Sequence, residues 1–293
     1  MQNPHQAQSF VALDKMGDKA CLINLGDPEN LLTYFPSTQD CSFYGHGQFF
    51  EDGETFVTTE TSPKRGGKLV IRKTSTLEIL KEIRLPNYFP HDCIFIPGTS
   101  QMLVALTGSP LDPSHIMHVP SQLLQVDLEN GNLIERYSVD QVGFLFGHLA
   151  MDSHGFYVAS LSTSALSKSR NGLIAVGEVG KELRIVDIKD QDDMRFDAEV
   201  LSVIIDEKRN RVISVSPHGR ILTIWDRAKN DFIAMIDLPS PSGVCINSKG
   251  NYVTTQGNGF IYEVSAESFE AKLLTKPTFV QYSAHISAIQ SIN

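Results

Sequence analysis

Six segments of this chain repeat one pattern: an apolar run, a polar turn, and a second run rich in β-branched and aromatic residues. The second runs read SFVALD, TFVTTE, MLVALT, FYVASL, RVISVS and NYVTTQ. Ahead of them stand the turn-forming pairs Asn3-Pro4, Asp52-Gly53, Pro97-Gly98, Asp152-Ser153, Asp206-Glu207 and Asn247-Ser248. The turns recur every 40 to 55 residues or so, about the length of a four-stranded propeller blade. After the second run most units supply two more strand-like runs: KLVIRK then EILKEIRL, QLLQVDL then LIERYSV, ILTIWD then FIAMIDL, and FIYEVS then AKLLT. Alternation and β-branched enrichment favour strand over helix throughout. The reading is an all-β propeller of four-stranded blades, six repeats in a single domain over residues 1–293. A two-layer sandwich does not repeat a four-strand unit from end to end.

Both ends bear on closure. The sequence opens in the turn that follows an innermost strand, and its last residues, AHISAIQSIN, read as an innermost strand with nothing after it. Pairing AHISAIQSIN beside SFVALD closes six blades and removes exposed sheet edges. The alternative is a seven-bladed parent, with an N-terminal segment before the present start. By their place in the second strand, Phe10, Val57, Val104, Val158, Ile213 and Val253 are expected to be buried between neighbouring sheets.

Composition narrows the partners. The chain has 293 residues, 41% hydrophobic and 20% charged, enough for a large core. Net charge is −9 and the basic residues are scattered, so nucleic acid is not an expected partner. No apolar stretch reaches the roughly 18 residues of a membrane span, and MQNPHQAQSF carries no secretion signal. A monomer is expected. Cys21, Cys41, Cys93 and Cys245 show no CxxC spacing, and Cys93 and Cys245 sit in apolar runs as small hydrophobes.

Histidines are the candidate functional residues. His46, His91 and His148 each stand shortly before one of the turns, at the beginning of an innermost strand, and His285 opens the last such strand. Innermost strands surround a propeller's axis and run the same way, so equivalent starts converge on one mouth of the channel. Four imidazoles there suit a metal site, and neutral nitrogen donors favour iron, copper or zinc over calcium. An anion site, a structural role in capping strands, and acid–base catalysis are the other readings. Thr223 to Asp226, TIWD, resemble a WD repeat, but that unit has no Gly-His pair to build a WD network.

The other groups read as loops. His115 and His118 lie in a Pro-rich connection, His154 and His218 in turn-like DSHG and SPHGR, and Asp190, Asp192 and Asp193 in a segment without EF-hand spacing. The glycines of RNGLIAVGEVGKE fit neither a phosphate loop nor a dinucleotide fingerprint, and there is no G-x-S-x-G elbow.

Taken together, FYGHGQFFEDGETFVTTE, FPHDCIFIPGTSQMLVAL, FGHLAMDSHGFYVAS, VISVSPHGRILTIWD and YSAHISAI resemble an uncharacterised bacterial family of exported β-propellers. It is a domain-of-unknown-function family whose members are often encoded beside imelysin-type iron-uptake proteins. The resemblance implies a periplasmic location, a role accessory to metal uptake and a partner among periplasmic metal-uptake proteins. It also implies about one blade more than the six repeats. The family's histidine-bearing segments match Gly45-His46, Pro90-His91, Gly147-His148 and Ala284-His285. Ser283-Ala284 stand where the family usually carries Asp-Asn, which removes a carboxylate from that motif.

Three functions follow: a non-enzymatic metal-binding propeller, an interaction scaffold with structural histidines, and a propeller hydrolase or lactonase. The third needs a hard cation held by carboxylate and amide oxygens, whereas the strand starts carry histidine with only Asp92 nearby. Binding is therefore favoured over catalysis.

Overall fold

Each turn expected from the sequence lies just ahead of the second run of its repeat, and in three of them a side chain shows why. Asp52 Oδ1 accepts the N–H groups of Glu54 and Thr55 at 2.8 and 3.3 Å. Asp152 Oδ1 accepts those of His154 and Phe156 at 2.8 and 2.9 Å. Asn247 Oδ1 does the same for Lys249 and Asn251, both at 3.0 Å. A short polar side chain that takes up backbone N–H groups two residues on stabilises a turn without help from distant residues.

The computed structural model describes residues 1–6, 8–85, 89–107, 121–139, 143–163, 174–186, 199–257 and 259–275. The first sheet holds β1 (Ser9–Leu13), β2 (Lys19–Asn24) and β3 (Leu32–Pro36). The second holds β4 (Ser42–Phe49), β5 (Thr55–Ser62), β6 (Gly66–Lys73) and β7 (Ile79–Leu85). β8 (Pro90–Phe95), β9 (Gln101–Leu106), β10 (Gln122–Asp127) and β11 (Leu133–Ser138) form the third. The fourth comprises β12 (Phe144–Met151), β13 (Phe156–Thr163), β14 (Ile174–Glu178) and β15 (Arg184–Ile185). β16 (Ser202–Asp206), β17 (Arg211–Ser216), β18 (Ile221–Asp226) and β19 (Phe232–Asp237) make the fifth. In the sixth are β20 (Pro241–Ile246), β21 (Tyr252–Gln256), β22 (Ile261–Val264) and β23 (Ala271–Thr275).

Spatial order follows chain order in every sheet, so each is one blade of a six-bladed β-propeller, as the repeat predicts. Among the described residues no helix is long and apolar enough to cross a membrane. In the first sheet Gln2 bridges Phe10 and the N–H of Asn3 donates to Ser9, so the residues before the Asn3 turn already line the edge of β1. AHISAIQSIN with His285, the loop histidines His115 and His118, and Asp190, Asp192 and Asp193 lie outside the described residues.

The chain divides into two compact units, one over Met1–Arg136 and one beginning at Tyr137. In the first, an apolar cluster joins the second and third sheets, with Val57, Leu69 and Ile83 meeting Met102, Val104 and Leu124. A smaller one joins the first and second, around Val11, Phe35, Phe43 and Phe56. In the second unit, Val158 and Val176 pack with Val203 and Val212, while Ile213 and Ile224 pack with Val244 and Tyr252. Val57, Val104, Val158, Ile213 and Val253 are buried as expected. Phe10 is not: it is half-buried, and its neighbour Val11 takes the core position. Side chains alternate between faces along a strand, so an offset of one residue in aligning SFVALD with the other repeats puts the wrong side chain inward.

Between the first and second sheets lies an ion pair that the strand pattern hides. Arg72 and Glu60, both almost wholly buried, meet with Nη2 2.6 Å from Oε1. Arg72 Nη1 donates to Thr58 Oγ1 at 2.7 Å, and the guanidinium lies 5.5 Å from the ring centres of both Phe35 and Phe43. Glu60 Oε2 accepts the N–H of Thr38 at 2.8 Å and also the Thr38 hydroxyl. Each charge is thus paired, hydrogen-bonded and enclosed, the condition under which a buried ion pair is tolerated.

Three stability measurements follow. Arg72→Met or Glu60→Leu alone should cost about 3 to 5 kcal/mol in urea unfolding, because each strands a buried partner, while the joint Arg72→Met/Glu60→Leu change should cost clearly less than the sum. Ile213→Ala should cost about 2 to 5 kcal/mol from lost burial and the cavity left behind. Phe10→Ala should cost less than Val11→Ala, and the reverse order would restore the original alignment.

Candidate functional site

The first strand of a sheet pairs with a single partner inside that sheet, and here its register is repeatedly broken. Between β4 and β5, Phe43 faces Glu60 and Gly47 faces Thr58, which leaves Tyr44, Gly45 and His46 opposite Thr59. Between β12 and β13, Phe146 faces Leu161 and Leu149 faces Ala159, leaving Gly147 and His148 opposite Ser160. Between β8 and β9, His91 is the extra residue separating the Pro90–Leu106 and Asp92–Ala105 pairs. β20 carries the same irregularity at Ser242, with no histidine on it. Bulges bend a strand and re-aim the side chains they carry.

This corrects the place assigned from the sequence. His46 and His148 neither precede nor open a strand; β4 begins at Ser42 and β12 at Phe144. The placement rests on the short spacing from each histidine to its turn, and the strand runs on ahead of the bulge, back to Ser42 and Phe144.

The glycines flanking the histidines have two separate causes. Gly45 has φ +89, in the left-handed region where a side chain is strained. At Gly47 a Cβ would stand 2.3 Å from the Val57 carbonyl oxygen, and at Gly147 it would stand 2.7 Å from Ser160 Oγ. Hydroxyl groups then lock the bulges through the backbone: Thr59 Oγ1 donates to the His46 carbonyl at 3.1 Å, and the His148 N–H donates to Ser160 Oγ at 2.7 Å.

In the first unit β4 packs against β8, and their bulges bring His46 and His91 together with ring centres 4.8 Å apart. Both rings are buried, with 8% and 9% exposure. His46 Nδ1 lies 3.1 Å from Asp92 Oδ1, and the same carboxylate oxygen accepts the Cys93 N–H at 2.8 Å. Tyr44 meets His91 edge-on at 5.5 Å and stacks on Phe89 at 5.7 Å, giving the histidine pair an aromatic wall. Cys93 is part of the apolar cluster between the second and third sheets, and burial, then the Asp92 charge, holds its thiol well above the usual range.

In the second unit His148 occupies the corresponding bulge of β12 and is equally buried. The minor candidates behave as loop residues: His154 is exposed in its turn, and His218 is 60% exposed with Nε2 3.6 Å from Glu199. Trp225 Nε1 donates to Thr223 Oγ1 at 3.0 Å, and Thr223 meets Ser214 at 2.6 Å, so the tryptophan of TIWD uses hydroxyl partners. All four cysteines are free thiols. Sequence reasoning passed over Asp92 as a lone carboxylate; its adjacency to His91 was visible, its contact with His46 was not.

A family profile matches residues 1–289, with the description "Protein of unknown function (DUF1513)". The chain belongs to this family. No curated protein matches the sequence. Among solved structures, hydrazine synthase of Kuenenia stuttgartiensis superimposes with a TM-score of 0.69, covering 92% of this chain and 80% of that one at 11% identity. Such low identity carries the likeness of fold alone.

For this DUF1513 member the bulge geometry makes a direct prediction. Gly45→Ala should destabilise the protein by about 1 to 2 kcal/mol through left-handed strain. Gly147→Ala should act differently, by displacing the Ser160 hydroxyl and freeing the His148 amide, which hydrogen exchange at that amide would report. Unchanged exchange would show that the hydroxyl does not hold the bulge.

Proposed function

We propose that this protein is a non-enzymatic, exported metal-binding propeller, accessory to metal uptake in the periplasm. In this reading His46 and His91 are ligands for iron, copper or zinc, His148 is a further ligand, and His285 is the remaining candidate. The observation that carries the proposal is the buried histidine pair. Two imidazoles set 4.8 Å apart between bulged strands, with a carboxylate against one of them, present nitrogen donors in a site largely shielded from water. Burying such groups costs free energy that a shared ligand can offset. The bulges themselves are fastened through backbone atoms and hydroxyls, so those bonds do not need the rings.

The family resemblance supports the cellular part of the reading, since exported relatives encoded beside imelysin-type proteins point to iron and to a periplasmic uptake partner. The donor set also bears on alternatives: imidazoles with one carboxylate suit a borderline metal, whereas a hydrolase cation site would draw mainly on oxygen donors.

Isothermal titration of tag-free protein with zinc, copper(II) and, without oxygen, iron(II) tests the proposal. Saturable uptake at neutral pH is expected, lost in His46→Ala/His91→Ala while the unfolding midpoint of the metal-free protein changes little. Affinity should fall toward acid pH, where protons compete for the imidazole lone pairs. No uptake of any of the three would overturn the reading and favour an interaction scaffold. Preference for calcium would favour the hydrolase alternative.

A further inference from the structure

We infer that Asp92 is a positioning residue that fixes His46 as an Nε2 ligand and makes the site selective for cations over anions. The inference rests on the metal-binding reading and deepens it. An ionised carboxylate can only accept hydrogen bonds. With Asp92 Oδ1 3.1 Å from His46 Nδ1, the proton of the neutral ring belongs on Nδ1, and the lone pair is then on Nε2. Metal-bound histidines commonly have such an outer partner, which holds the ring's orientation and raises its basicity.

The carboxylate is itself held in place. Asp92 follows the β8 bulge directly, its Oδ1 accepts the Cys93 N–H at 2.8 Å, and its side chain is only 15% exposed. β4 is tied to the same strand by Gln48 Oε1, which accepts the Phe95 N–H at 2.8 Å. Carboxylate and imidazole therefore come from neighbouring sheets whose relative position is fixed by the Gln48 side-chain hydrogen bond as well as by packing. A partly buried negative charge beside two imidazoles attracts a cation and repels an anion, and low local polarity strengthens both effects. A cluster of imidazoles alone would leave the sign of the ligand open.

The test compares wild type with Asp92→Ala and Asp92→Glu, using zinc titration and long-range nitrogen-15 NMR of the histidine rings in metal-free protein. The expected result is Nδ1-protonated His46 in the wild type, loss of that tautomer preference in Asp92→Ala, and zinc affinity weaker by about 10- to 100-fold. Asp92→Glu should recover part of both, and the metal-free unfolding midpoints should stay close together. Wild-type His46 protonated on Nε2, or an Asp92→Ala protein with unchanged tautomer and zinc affinity, would overturn the inference and leave the metal reading standing. Tighter binding of inorganic phosphate than of zinc by the wild type would also overturn it. Failure of the wild-type protein to bind zinc, copper or iron would remove the metal reading and this inference with it.

Discussion

A four-stranded antiparallel sheet whose middle strands are buried on both faces cannot stand alone in water. β5, β9, β17 and β21 are buried along nearly their whole lengths, on both sets of alternating positions. Burial on one face only would leave every second residue exposed. Each such sheet therefore needs neighbours on both sides, and the apolar clusters within each unit lie between successive sheets. The requirement weakens along each blade. The last strands, β7, β11, β19 and β23, are largely exposed and carry apolar residues such as Ile79, Leu80, Leu133 and Ile134 in contact with water.

Packing on both faces creates a second problem, because polar residues near the sheet boundaries lose water together with the apolar ones. The chain meets it with ties from one sheet to the next. Arg72 and Glu60 serve the first and second sheets. In the second unit the turn residues themselves take part: Asp152 pairs with Arg227 at 2.5 Å, and Arg227 lies over the Phe156 ring at 5.1 Å. Asp206, in the turn of the fifth sheet, accepts the Tyr252 hydroxyl of the sixth at 3.0 Å and pairs with Arg209 at 3.1 Å. The same carboxylate class thus shapes a turn with one oxygen and joins sheets with the other, which places the turns under tertiary as well as local control.

The bulges tie architecture to chemistry. A first strand in perfect register would alternate its side chains and could not turn a histidine pair of adjacent sheets toward one another with a carboxylate beside it. The extra residues opposite Thr59 and Ser160 break that alternation, glycine supplies the backbone freedom and clearance, and the hydroxyls opposite secure the result. His46 and Asp92 are far apart in the chain, yet they meet because two successive blades carry irregularities at comparable places. Ser242 marks the same irregularity in the sixth sheet without an imidazole, so the bulge belongs to the blade and the histidine to the site.

The sequence by itself determined the class of fold, the turns and most strand positions, because those depend on interactions that close within a few residues. Asx turns at Asp52, Asp152 and Asn247 and the β-branched enrichment of TFVTTE or RVISVS need no knowledge of the rest of the chain. It also singled out His46, His91 and His148 as residues, through their recurrence ahead of the turns. Only the tertiary structure decided that Val11 rather than Phe10 faces the core, that the histidines ride on bulges, that Asp92 touches His46 and that Arg72 is buried against Glu60. Each of these rests on register or on contact between strands of different sheets. A one-residue shift reverses the face of a side chain, and no local pattern records which distant group it will meet.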